Sequence, residues 1–264
     1  MSGLRQEFVQ RSITAICLSA VVVALVLFSP NLILNTFVFL LSLALFFEWM
    51  KVSKASRKKK IIFLLLFSSL ICCILGFGAL LEPIPIITML GITVWIVIAF
   101  QIFFREGRLS SSFSFTNFWI GLILISTFCL TCFQFVNGSR LFLLIAIFNV
   151  AIFDSGAYII GKNFGKNSFL PELSPNKTIE GLIGGLASSI VFVTLLYILI
   201  EEVSLKASIA LMLSIPFALC GDYFFSFLKR KANIKDTGSI LPGHGGLLDS
   251  CLLYTSDAAD DLLC

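Results

Sequence analysis

The segment from Ser226 to Asp249 concentrates chemistry that the rest of the chain lacks. It carries the cations Lys229, Arg230, Lys231 and Lys235, the carboxylates Asp236 and Asp249, the only histidine, His244, and the glycines Gly238, Gly243, Gly245 and Gly246. Lysine and arginine neutralise phosphate oxygens, and glycines let backbone N–H groups approach them. Carboxylates hold a divalent cation. Together these residue types suit the handling of a polyphosphate with the help of a metal. A histidine between glycines is poorly placed for a packed core, so His244 is a candidate for phosphate contact or positioning. Asp249 follows closely enough to reach back to the same place.

Two further segments belong with it. Asp154-Ser-Gly-Ala157-Tyr158 runs into Gly161-Lys162-Asn-Phe-Gly165-Lys166. Ser174-Pro-Asn-Lys177-Thr178-Ile-Glu180-Gly181 opens a long apolar run. Proline and a small polar residue there fit a helix start, and Lys177 and Thr178 at a helix N-terminus would make an anion site. No Gly-x-x-x-x-Gly-Lys-Ser/Thr sequence occurs, which excludes a P-loop enzyme.

The elements that must position these residues are membrane spans. Hydrophobic residues make up 58% of the 264-residue chain and charged residues 13%. Mean hydropathy is +1.01. Several apolar runs approach the ~20 residues needed to cross a bilayer. The expected fold is all-α, a polytopic helical membrane protein of about eight spans. They fall near 12–29, 32–50, 61–81, 84–104, 116–136, 140–160, 179–200 and 206–228. The first reads as an uncleaved span, because no small-x-small cleavage site precedes Pro30.

All of the 19 Lys and Arg residues except Arg140 and Lys206 fall in one alternating set of loops. That bias places the N-terminus, and with it every motif above, on the cytoplasmic side. Arg57-Lys-Lys-Lys60 is then a topology signal lying on anionic lipid. The basic residues sit between spans, so no nucleic-acid-binding face is expected. Cys17, Cys72, Cys73, Cys129, Cys132 and Cys220 lie inside apolar runs and act as small hydrophobes, with no disulfide framework.

Asp154 and Asp222 each lie about six residues from the cytoplasmic end of a predicted span. At ~1.5 Å per residue that is roughly 9 Å below the surface. A carboxylate at that depth is costly unless it is paired, coordinated or wet. Two at matched depth invite a shared cation; pairing with a lysine, or capping of a neighbouring helix, is the structural alternative.

The pattern Ser226-x-x-Lys229-Arg230-x4-Lys235-Asp236-x-Gly238-x3-Pro242-x-His244-Gly245-Gly246-x2-Asp249 resembles the signature of phosphatidate cytidylyltransferases, also called CDP-diacylglycerol synthases. Ser174-Pro-x-Lys177-Thr-x-Glu180-Gly181 and Asp154-x-x-Ala157-Tyr158 resemble other pieces of that family. The resemblance covers roughly residues 150–249.

It implies transfer of a cytidylyl group from CTP to phosphatidate, at the cytoplasmic face of a bacterial-type inner membrane, with Mg²⁺ as cofactor. It implies Asp222 and Asp249 as metal ligands, and Asp154 is the third candidate. Lys177, Lys229, Arg230, Lys235 and His244 are the catalytic candidates. Ser174, Lys177, Thr178, Ser226, Gly245 and Gly246 are the substrate-binding ones. The partners are CTP, phosphatidate and membrane lipid, without nucleic acid, and a homodimer is left open.

Two departures from the family pattern stand out. Ser250 replaces the usual arginine after Asp249, and Phe225 replaces the usual glutamate before Ser226. Residues 250–264 read as a foreign or frameshifted tail, so a final helix of the family is expected to be missing, and the cytidylyltransferase domain to be 1–249. A CTP-dependent lipid kinase and a cation-coupled transporter are the alternatives. The absence of an internal repeat and the one-sided clustering of polar motifs weigh against the transporter.

Overall fold

The computed structural model describes residues 19–52, 58, 61–62, 64–69, 84–104, 118–170, 174–201, 203–232 and 234. Helix α1 is Ser19–Phe28, α2 Asn31–Val52, α3 Ile84–Phe104, α4 Phe118–Asn137 and α5 Arg140–Phe164. Then come strands β1 (Ser168–Leu170) and β2 (Ser174–Thr178), helix α6 (Ile179–Leu199) and helix α7 (Leu205–Ala232). Residues 61–62 and 64–69 are also helical.

Among the described residues, five helices are long and apolar enough to cross a membrane, namely α2, α4, α5, α6 and α7. Large apolar side chains such as Phe28, Leu32, Ile198 and Leu199 are exposed. Helices apolar on every side are what a membrane-embedded chain presents to lipid. The chain is an integral membrane protein built mainly of helices.

One element departs from the all-α expectation. Between α5 and α6 the chain forms an antiparallel hairpin, with Ser168 paired to Thr178 and Leu170 to Ser174. Ser174 and Pro175 therefore belong to a strand and do not begin a helix. The pairing slips between its two ends, so β2 carries extra residues opposite β1. Proline cannot donate to a ladder and is tolerated at such irregular edges. The helix start is set instead by Thr178, whose hydroxyl accepts from Gly181 N at 3.1 Å.

The described residues fall into two compact units. In the first, α2 packs on α4: Trp49 is buried, and a Cβ on Gly121 would overlap its indole. Phe46 stacks on Phe67 with ring centroids 5.4 Å apart. Arg140 closes the α1–α2 corner. Its guanidinium donates to Ser29 O at 2.7 Å, to Val26 O at 3.2 Å and to the Asn31 side chain. Helix ends leave carbonyls unsatisfied, and a cation there answers both the hydrogen bonds and the dipole.

The second unit contains residues 144–164 of α5, the hairpin, α6 and α7 as far as Phe227. Here α5 and α6 approach through small residues. A Cβ on Gly181 would lie 2.8 Å from Ala157 O and 3.2 Å from the Cα of Gly161. One on Gly185 would lie 2.6 Å from Phe153 O, and one on Gly156 would lie 2.8 Å from the Cβ of Ser188. Small residues let membrane helices meet backbone to backbone. Buried Asn149 then ties α5 to both neighbours. Its amide donates to Leu211 O at 3.0 Å, and its oxygen accepts from Ser189 Oγ at 2.6 Å. Ser204 starts α7 by accepting from Ala207 N at 3.2 Å.

Candidate active site

Lys177, Asp222, Tyr223 and Asp154 lie in the second unit, and the hairpin brings Lys177 to its place. β2 delivers Lys177 one residue before the cap of α6. Because Gly181 sits against Ala157 and Gly161, the start of α6 is pinned beside α5. Glu180 fixes the other side of the hairpin. Its carboxylate accepts from Lys166 N at 3.1 Å, Asn167 N at 3.2 Å and Asn167 Nδ2 at 2.9 Å. These contacts fix the backbone from which the Lys177 side chain leaves.

Lys177 points to α7. Its ammonium forms an ion pair with Asp222. It also lies over the Tyr223 ring, 4.8 Å from the centroid. Tyr223 is 1% exposed and Asp222 8% exposed. From β1, Phe169 packs on the same Tyr223 ring at 6.0 Å between centroids. Asp154, on α5, lies within the electrostatic reach of Lys177. Its Oδ2 is buried and makes no hydrogen bond. Asp222 thus pairs with a lysine, the structural alternative to a cation shared with Asp154.

Their depth within the helices needs correcting. α5 continues to Phe164 and α7 to Ala232. Asp154 and Asp222 are thus each about ten residues from their helix ends, or roughly 15 Å along the axis. The apolar stretch alone marks the span, whereas the helices run on through polar residues such as Lys162 and Lys229.

The remaining candidates are placed as follows. Thr178 uses its oxygen as the helix cap and keeps its hydroxyl hydrogen to donate. Ser226 lies one turn beyond Asp222 on α7 and is half-buried. Further along that helix, Lys229 is half-buried and Arg230 exposed. The backbone of Ser174 pairs in β2. Lys162 folds back on Tyr158, with Nζ 3.2 Å from the phenol oxygen. Lys235, His244, Gly245, Gly246 and Asp249 lie outside the described residues, as does the tail 250–264. Among the described residues no three His, Cys, Asp or Glu side chains gather as a metal cluster. Cys129 is buried and Cys132 half-buried within α4, which agrees with a packing role for both.

Sequence reading missed two contributors. Glu180 entered only as part of the motif around Lys177, yet it ties the hairpin's entry to α6. Tyr223 had no role at all. The available signal was the one tyrosine of α7, set directly after an aspartate inside an apolar run.

Comparison with known proteins bears on what such a site does. A family model described as "Cytidylyltransferase family" matches residues 9–255. A phosphatidate cytidylyltransferase of Bacillus subtilis (strain 168) is 43% identical over 99 residues, covering 36% of this chain and 36% of that protein. Proteins of the same name from Staphylococcus haemolyticus (strain JCSC1435) and Staphylococcus aureus (strain COL) are each 42% identical over 111 residues. Those alignments cover 41% of this chain and 42% of each relative, so the chain spans under half the length of the relatives it matches.

Proposed function

Because the chain belongs to the cytidylyltransferase family, we propose that it transfers the cytidylyl group of CTP to phosphatidate, giving CDP-diacylglycerol and pyrophosphate. One observation carries this reading. The second unit holds a buried Lys177–Asp222 ion pair, with the buried carboxylate oxygen of Asp154 on the neighbouring helix α5, set among apolar helices. With a divalent cation held by the carboxylates, such a site would suit a polyanion whose acyl chains stay in lipid.

In the proposed reaction a phosphate oxygen of phosphatidate attacks the α-phosphorus of CTP. The new P–O bond forms as the bond to the β-phosphate bridging oxygen breaks, and pyrophosphate leaves with that electron pair. No covalent enzyme intermediate is needed, since the nucleophile already carries charge. The chain's task is to bring two polyanions together. Lys177 supplies a fixed positive charge at the reacting phosphates, and the Thr178 hydroxyl supplies a donor. Ser226, Lys229 and Arg230 follow Asp222 along α7 at helical spacing and extend the basic run, which Lys235 and His244 continue. Ser174, Gly245 and Gly246 complete the proposed contacts to substrate.

The donors present fit Mg²⁺. Asp154 offers a buried oxygen without a hydrogen bond, and Asp222 a second carboxylate on a neighbouring helix. Hard oxygen ligands of this kind, few in number, are what Mg²⁺ takes alongside substrate phosphates. Asp249 is the proposed third ligand. When bound, the ion would neutralise triphosphate charge.

The fuller topology belongs to the same reading: eight spans, with the site facing the cytoplasm of an inner membrane. A homodimer is the assembly to look for by light scattering in detergent. The test is purified protein in phosphatidate-containing nanodiscs, given CTP labelled either in cytidine or at the γ-phosphate. Cytidine label in the lipid supports this function. γ-Label in the lipid makes the protein a lipid kinase, and label in neither contradicts both.

A further inference from the structure

We infer that Tyr223 is a positioning residue, and that its ring holds the Lys177 ammonium where the phosphates are received. This rests on the cytidylyl-transfer reading, and it assigns a role to a residue outside the proposed catalytic and metal-binding set.

The geometry is specific. A lysine on a strand of a short hairpin has four rotatable bonds and would ordinarily sweep a wide volume. Here its nitrogen stands 4.8 Å above the centroid of a ring that is 1% exposed. The ring is buried and packed. It sits in the interior of α7, and Phe169 packs on it at 6.0 Å between centroids. Phe169 and Lys177 come from the paired strands β1 and β2, with Ser168 opposite Thr178 beside them. Tyr223 therefore receives an aromatic side chain from one strand and a cation from the other.

The ring also differs from Asp222 as a partner for Lys177. A carboxylate neutralises the ammonium and competes with phosphate for it. A ring face attracts the cation through its quadrupole and leaves the formal charge intact. If the ammonium were to leave Asp222 for phosphate oxygens, the ring would still hold it in place. Both residues can then serve at once, Lys177 toward phosphate and Asp222 toward metal.

The experiment replaces Tyr223 by phenylalanine and by phenylalanines carrying one, two and three ring fluorines. These keep the shape while removing negative potential from the face. Two quantities are read: kcat/KM for CTP, and the rate at which an acylating reagent modifies Lys177, followed by mass spectrometry. The expected result is a stepwise fall in kcat/KM, reaching about tenfold at three fluorines. Lys177 modification should rise in the same order, while the melting temperature stays constant. Tyr223→Leu should lose as much as the trifluoro variant, and Tyr223→Phe should restore most of that loss. A flat series in Lys177 modification overturns the positioning role whether or not the protein turns over. Absence of CDP-diacylglycerol from the unmodified protein sinks only the functional reading, because the modification rates need no turnover. A Tyr223→Phe variant as impaired as Tyr223→Leu would place the effect in the hydroxyl and also overturn the inference.

Discussion

Lys177 sits at the centre of the described site because it touches two kinds of partner at once. Asp222 offers it a full opposite charge, and Tyr223 a polarised face. Deleting the ammonium would take from the buried Asp222 its ion-pair partner among apolar helices, a costly change. Lys177→Met should lower kcat/KM by on the order of 10²–10³, the usual effect of losing one donor aimed at developing charge. Lys177→Arg should recover little, because a planar fork cannot take the place of a point charge over the ring. A steady-state assay of the two variants checks this, and recovery of most activity by arginine would contradict it. Much of this was legible beforehand. Lys177, Asp154 and Asp222 stand out as charges within or beside apolar runs, where each demands a reason. Tyr223 and Phe169 do not, since an aromatic in such a run is indistinguishable from ordinary packing.

The elements exist to hold that lysine still. The α5–α6 contact works because Gly181, Gly184 and Gly185 leave room for α5 to approach. A Cβ on Gly184 would collide with Ile160, so Gly184→Leu must push the helices apart. The expected cost is about 1–3 kcal/mol, seen as a lower melting temperature in detergent, with a larger loss of activity than of stability. Asn149→Ala tests the other tie. It leaves Ser189 Oγ only its weak 3.7 Å contact to Met212 Sδ and gives up the bond to Leu211 O. The destabilisation should again be about 1–3 kcal/mol. An unchanged unfolding temperature in either variant would contradict these roles.

At this scale the sequence was partly deceptive. Apolar run lengths locate helices well, and Ile84–Phe104 matches the expected 84–104 span. They do not say where a helix ends once it leaves the apolar zone, which is why α5 and α7 run further than hydropathy suggests. Nor does Ser174-Pro175 announce a strand, because the same dipeptide is common at helix starts. What decides between them is pairing with Ser168–Leu170, a partner that local pattern reading does not supply.

For the whole molecule, charge placement carries the most information. The cations outside the main loop set are Arg140 and Lys206. Arg140 has a structural reason to be where it is, the carbonyls of Val26 and Ser29. It therefore subtracts little from the bias on which the expected orientation rests. In a cysteine-free background, a single cysteine at Lys162 should react with a membrane-impermeant reagent only from the cytoplasmic face. One at Lys206 should react only from the opposite face. Labelling of both from the same side would contradict the topology and, with it, the accessibility of the site to CTP.

The central claim is that Asp222 and Lys177 form a cytidylyl-transfer site. Its most direct measurement is incorporation of α-³²P from CTP into phosphatidate by unmodified protein and by Asp222→Asn in parallel, in identical nanodiscs with Mg²⁺. The account predicts labelled CDP-diacylglycerol from the former and none above background from the latter, with both proteins equally folded. Equal labelling by the two, or no labelled lipid from unmodified protein, would contradict it.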